Sequence, residues 1–205
     1  MADQDGAAEP WRSPEEFEQN LLMIAEDDSA VCWLDFATGR QGWVKKGTML
    51  STVLDEVRRR GWTVAIDHDQ ERIRVSADSW PLRYLAVNIR AFEEGRRLCA
   101  TVELPGQVPE VLRTAVAEFL LRVNWRFTQG CFDLNCSTGD LVFRTSSWIA
   151  DGTLTSEMAG VLLDGAIATV YRYVPWLLKV TRGGVPKDVV AQIEELGTTG
   201  ESGQE

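Results

Sequence analysis

The chain is 205 residues long, 44% hydrophobic and carries a net charge of −10. That is enough apolar material for one domain with extensions, and it excludes a wholly disordered chain. Residues 1–30 hold nine acids against Arg12 alone and 186–205 hold five against Lys187, which leaves +2 for the stretch between them; acidic ends around a near-neutral body, with no basic run interleaved with aromatics, exclude a nucleic-acid reader.

Residues 1–12 and 197–205 are rich in Gly, Ser, Gln and acids, and both are expected to be disordered tails. Ser13-Pro14-Glu15-Glu16 reads as an N-cap, a proline at the first helical position and acids in the first turn. A short helix is predicted from there to about Ala25, with Phe17, Leu21, Leu22 and Ile24 inward. A small β-hairpin is predicted next, residues 31–36 and 41–44 around a turn at Thr38-Gly39-Arg40. Residues 13–47 thus form an extension ahead of the main domain.

From Thr48 the periodicity is clear. Met49, Leu50, Val53, Leu54 and Val57 recur at helical spacing, and Gly61 closes that helix. Trp62, Val64 and Ile66, then Ile73, Val75 and Ala77, alternate with their neighbours and predict two strands around a turn at 68–70. Two further strands, 83–92 and 96–104, are joined at Glu93-Glu94-Gly95-Arg96, and Pro105-Gly106 is expected to stop the sheet. A helix from Pro109 places Val111, Leu112, Ala115, Val116, Phe119, Leu120 and Val123 on one face. There follow a hairpin over 130–145, a long apolar helix from Thr155-Ser156-Glu157 to Leu178 closed by Gly183-Gly184, and a short last helix over 185–196. The order predicts an α+β domain over about 48–184, an antiparallel sheet with packed helices.

Four pieces of that order belong together: Leu120-Leu121-Arg122-Val123-Asn124-Trp125, the strand Gly130-Cys131-Phe132-Asp133-Leu134, the strand Gly139-Asp140-Leu141-Val142-Phe143-Arg144-Thr145, and the helix capped by Leu154-Thr155-Ser156-Glu157 that ends Tyr173-Val174-Pro175-Trp176-Leu177-Leu178. In this combination the chain resembles the YbjN family. The resemblance implies a fold like that of the type III secretion chaperones and a bacterial, cytoplasmic, often dimeric protein. Some members are described as sensory-transduction regulators. It carries over no catalytic residue and no cofactor.

The residues themselves point the same way. Between Met158 and Tyr171 the only charge is Asp164, so the long helix is apolar around nearly its whole circumference and needs cover on a second side. Either the N-terminal helix or hairpin of the same chain supplies it, or a second copy does; a homodimer is expected, on Met158, Val161, Leu162, Gly165 and Ala168. Trp148, Trp176, Trp33 and Trp43 fall in loops and edges, where large aromatics anchor recognition surfaces, and are the candidate partner-binding residues.

Chemistry finds little purchase. Cys32, Cys99, Cys131 and Cys136 form no CxxC pair, and Cys131 and Cys136 read as opposite faces of one strand. With a single histidine, His68, no zinc cluster is expected, and the cysteines read as reduced and mostly buried. His68 between Asp67 and Asp69 is a solvated turn rather than a base with its orienter. Asp133 and Asp140 read as surface and turn residues rather than paired catalytic carboxylates. Arg58-Arg59-Arg60 reads as a cationic helix end that complements the macrodipole. The first 20 residues are too polar for a secretory signal, and Asp164 and Arg172 interrupt the tract 158–178, so no membrane span is expected. The expectation is a non-enzymatic, cofactor-free domain that binds a protein partner through apolar surface and unpaired strand edges. The alternative is a signalling regulator that binds a small ligand.

Overall fold

Two antiparallel sheets and four helices make up the computed structural model over the residues it describes, 21–26, 30–35, 41–67, 72–76, 85–150 and 152–201. The first sheet has three strands in chain order, β1 (Leu21–Glu26), β2 (Ala30–Asp35) and β3 (Gln41–Lys45). Val31 pairs with Val44 and Leu22 with Leu34. The expected hairpin is therefore present, but the helix expected up to Ala25 is not, since Leu21–Glu26 is a strand. Leu21-Leu22-Met23-Ile24-Ala25 is an unbroken apolar run that fits neither period, and pairing with β2 decides it. The start of that helix, 13–20, and the tail 1–12 lie outside the described residues, as do 202–205.

The second sheet has six strands: β4 (Thr63–Asp67), β5 (Arg72–Ser76), β6 (Ala86–Phe92), β7 (Arg97–Gln107), β8 (Cys131–Leu134) and β9 (Asp140–Trp148), in the order β4-β5-β6-β7-β9-β8. Its register puts one apolar line, Val75–Val87–Val102–Phe143–Phe132, across five strands, and all five residues are buried. Pro105-Gly106 does not end the sheet. β7 runs on to Gln107, and the proline sits where the register with β9 slips between Glu103 and Gln107, a bulge that needs no ladder amide there.

Helices cover one face of this sheet. They are α1 (Met49–Arg59), α2 (Glu110–Asn124), α3 (Ser156–Thr181) and α4 (Pro186–Glu201). α1 lies on β4, β5 and β6, and α3 on β7 and β9. α4 continues five residues into the stretch 197–201 expected to be tail. Val111 is a correction as well: it is 89% exposed, because it lies about 130° round α2 from the centre of the stripe Val116, Phe119, Leu120 and Val123 that packs inward.

α1 begins where its sequence says. Thr48 Oγ1 accepts the Ser51 amide at 3.2 Å, and Gly61, at φ +68°, ends the helix with the Trp62 amide donating to the Val57 carbonyl at 3.2 Å. The orphan amides of Met49 and Leu50 are met from far along the chain, by the Glu93 carboxylate at 3.3 and 3.2 Å. Glu93→Ala should therefore lower stability by about 1 kcal/mol, as the loss of an ordinary cap does. Urea denaturation checks it; an unchanged midpoint would mean that the carboxylate contributes nothing at this helix start.

Candidate protein-docking site

α3 is the centre of the molecule. Thr155 caps it, its Oγ1 accepting the Met158 amide at 3.1 Å, and the helix runs unbroken through Pro175. Ala159, Leu163, Ala166, Val170, Tyr173 and Val180 are buried along it. By length and composition this helix could cross a membrane, but here it is packed among α1, α2, α4 and the sheet. Among the described residues, the second side that the sequence leaves open is covered largely by the chain's own helices α1, α2 and α4. One stripe is left uncovered by the described residues. Met158, Val161 (68% exposed), Gly165 and Ala168 recur at helical spacing on the outside, while Leu162 is buried beneath them.

That stripe forms one wall of a groove of about 510 Å³, whose floor and far wall come from Phe143, Thr145, Ser147 and Gln129. The groove exists because β8 is short. It pairs only with residues 141–144 of β9, so Thr145–Trp148 have β7 on one side and no described strand on the other. The Gln129 side-chain amide, reaching the Ser146 carbonyl at 3.5 Å, is the contact that edge makes. Trp148 ends the edge, 68% exposed, and alternates onto the opposite face of the sheet from the groove. The floor is firm. Phe143 packs edge-on against Phe127 at 5.8 Å and Phe132 at 5.0 Å, and Phe127 meets Tyr173 at 5.1 Å. Gly130 lets the chain enter β8 over that ring; a Cβ there would lie 2.6 Å from Phe143 Cζ, and its φ of +81° suits glycine alone.

α3 is pinned to α1 by a buried ionic clasp. Glu56 is 1% exposed, and its carboxylate accepts from Arg59 Nε at 2.9 Å, Arg59 Nη2 at 2.7 Å and Arg60 Nε at 2.6 Å. Arg60 reaches on to Asp164 of α3 and stacks over Trp62 at 4.8 Å. The hydrogen bonds from Arg59, with those from Arg60 and the two positive charges, outweigh burial and hold the Glu56 carboxyl down at about 2. The Asp164 carboxylate in turn raises the Arg60 pKa. Gly160 makes room: a Cβ there would stand 2.6 Å from Arg60 Nη2 and 2.8 Å from Glu56 Oε1. The arginine run is thus more than a cationic helix end.

The other predicted residues scatter. Trp176 is half-buried, packed against the core with Lys179 Nζ 4.3 Å from its ring. Trp33 and Trp43 hold positions opposite Gly42 and Cys32 in the three-stranded sheet, apart from the sheet that carries the groove. His68 lies outside the described residues. Asp133 stands opposite Val142 and ion-pairs with Arg144 at 2.7 Å, and Asp140 is held by Gln107 at 3.0 Å and by Thr138, so the two carboxylates do not face each other. Cys131 is on β8 but Cys136 lies beyond it in the turn, exposed, and Cys99 and Cys131 are only half-buried; the cysteines are less hidden than expected. Sequence reasoning also passed over the outward side of α2, where Leu121 and Trp125 (91% exposed) follow Val111. Their spacing of four, off the buried stripe, was the available signal.

What the fold defines is an α+β domain with helices on one face of an antiparallel sheet and, among the described residues, no helix on the other. The chain belongs to the YbjN family: the family model, described as "Putative bacterial sensory transduction regulator", matches residues 49–179. Solved structures to which it is similar include the ExsC–ExsE complex, at 16% identity and a TM-score of 0.45, covering 60% of this chain and 89% of that one. YbjN from E. coli gives 12% and 0.41 over 60% and 92%, and the HopA1–SchA chaperone–effector complex gives 17% and 0.31 over 65% and 89%. No curated protein matches the chain.

Proposed function

We propose that this is a non-enzymatic, cytoplasmic protein-binding domain, a chaperone-like or regulatory adaptor, that takes an extended segment of another protein at the open end of β9. The observation that carries the reading is the coincidence of a strand edge with no described strand beside it, Thr145–Trp148, with a groove along it. A segment added along that edge gains main-chain hydrogen bonds and sends alternate side chains toward Phe143 and Val161. Membership of the family supports a regulatory role. A homodimer is part of the proposal. With the groove given to the partner, the outward side of α2, Val111, Leu121 and Trp125, is the apolar face left for a second copy.

Val161→Glu tests this, because it places a charge in the groove without touching the core. Tagged wild-type and variant chains, used as bait at native level, should differ by about tenfold or more in partner recovered per chain. Binding by wild type should persist at high salt, since buried apolar area and main-chain bonds drive it. Equal recovery by the two chains, or collapse in salt, would defeat the reading. The polar Thr145, Ser147 and Gln129 in the groove favour one second reading, a regulator that binds a small ligand. A saturable thermal shift with a metabolite, and no partner in fixed ratio, would support that instead.

A further inference from the structure

The face of the six-stranded sheet turned away from the helices carries a stack of arginines and aromatics. The Phe92 ring lies between two guanidiniums, that of Arg90 at 4.5 Å and that of Arg97 at 4.3 Å, and Arg97 also lies 5.5 Å from the Trp148 ring. Register builds this from three strands. Phe92 of β6 opposes Arg97 of β7, which opposes Trp148 of β9; two positions along, Arg90 opposes Cys99 and Cys99 opposes Ser146; two further, Thr101 opposes Arg144. No basic run alternates with aromatics along the chain, yet across the strands one does.

Charge on this face is unevenly matched. Glu103 is taken by Arg74 at 2.8 Å and Asn88 at 2.6 Å, and Asp133 by Arg144. Arg90 and Arg97 have no carboxylate partner among the described residues. Both guanidiniums lie over the Phe92 ring with no carboxylate of the described residues on their N–H forks, an arrangement suited to a planar carboxylate. A cavity of about 550 Å³ opens beside them, lined by Phe92, Arg97, Cys99, Gly130, Arg144 and Ser146.

We propose that this second surface binds an acidic protein segment, its carboxylates held by Arg90 and Arg97 beside Cys99, with an apolar side chain against Trp148. It opens on the opposite face of the sheet from Val161 and meets the groove at Gln129 and Thr145. An acidic peptide fits better than a nucleic acid, because four arginines, Arg72, Arg90, Arg97 and Arg144, against Asp133 make a small patch on a chain of net charge −10. A polyphosphate would meet that whole field; a peptide brings only a few charges to one place.

Fluorescence anisotropy of the full chain with a short labelled peptide of alternating Glu and Phe tests it. The wild type should bind the peptide, more weakly as salt rises, and should not bind the Gln-for-Glu version. Arg90→Ala with Arg97→Ala should lose about tenfold or more in affinity. Arg97→Lys, which keeps charge and strand but not the fork, should fall between, and Val161→Glu should bind as wild type. Unchanged affinity in the double variant or in Arg97→Lys, or a single-stranded oligonucleotide that displaces the peptide at lower concentration than unlabelled peptide does, would overturn the proposal. So would peptide binding seen only after removal of residues 1–20, which would make the chain's own acidic segment the occupant.

Discussion

Replacing Glu56 by alanine should destabilise the domain by about 3–5 kcal/mol, the usual cost of removing one partner from a buried ion pair. Arg60 is left largely buried with Asp164 alone, and its tie to α3 loses the anchor on α1. Glu56→Gln keeps the shape and should recover only part of the loss, because a neutral amide cannot balance two guanidiniums. The same carboxylate predicts an acid limb. Its pKa is about 2 in the folded chain against an ordinary 4.5, so the unfolded state binds a proton first as pH falls. This stabilisation is complete above pH 4.5 and is lost as pH drops from there toward 2. Urea midpoints measured across that range for wild type and Glu56→Gln should converge at the acid end; parallel curves would show that Glu56 titrates no differently folded and unfolded. Because Gly160 borders the same atoms, Gly160→Ala should disturb the clasp too, and its cost should not add to that of Glu56→Ala.

Phe143→Ala is the second large effect. Phe143 is buried, sits on the apolar line through five strands, and stacks edge-on with two other rings. Truncating a ring in such a core costs about 3–5 kcal/mol, partly as lost transfer energy and partly as the cavity left behind. It is also groove floor, so partner binding should weaken even well below the unfolding midpoint. Phe143→Leu fills most of the volume and separates the two: stability should largely return, and with it the binding if the groove only needs a floor. An unchanged denaturation midpoint for the alanine variant would mean that the ring does not pack as the structure has it.

How much of this was legible in the sequence depends on the element. From Thr48 onward local signals agree with one another: Thr48 and Gly61 bracket α1, alternation marks β5, and Thr155 caps α3. Leu21-Leu22-Met23-Ile24-Ala25 has no period to read, and only β2 makes it a strand. Pro105 misled for the opposite reason, since a rule for central ladders was applied where the ladder slips. Four of the five residues assigned to the face of α3 are exposed on one stripe, because helical spacing is local information. The Glu56–Arg60–Asp164 clasp and the Arg97–Trp148 stack join residues about a hundred and about fifty positions apart, which no spacing rule connects.

The place of α3 in the chain orders events during synthesis. All six strands of the larger sheet are made before Ser156, the first residue of the helix that roofs β7 and β9. α1 is already available for β4, β5 and β6, but the Val102–Phe143 end of the apolar line waits until Thr181 has been added. At about 5–20 residues per second that is an interval of seconds, during which the nascent sheet shows bare side chains to whatever surrounds the ribosome. A domain proposed to shelter another protein's segment must therefore first be sheltered itself.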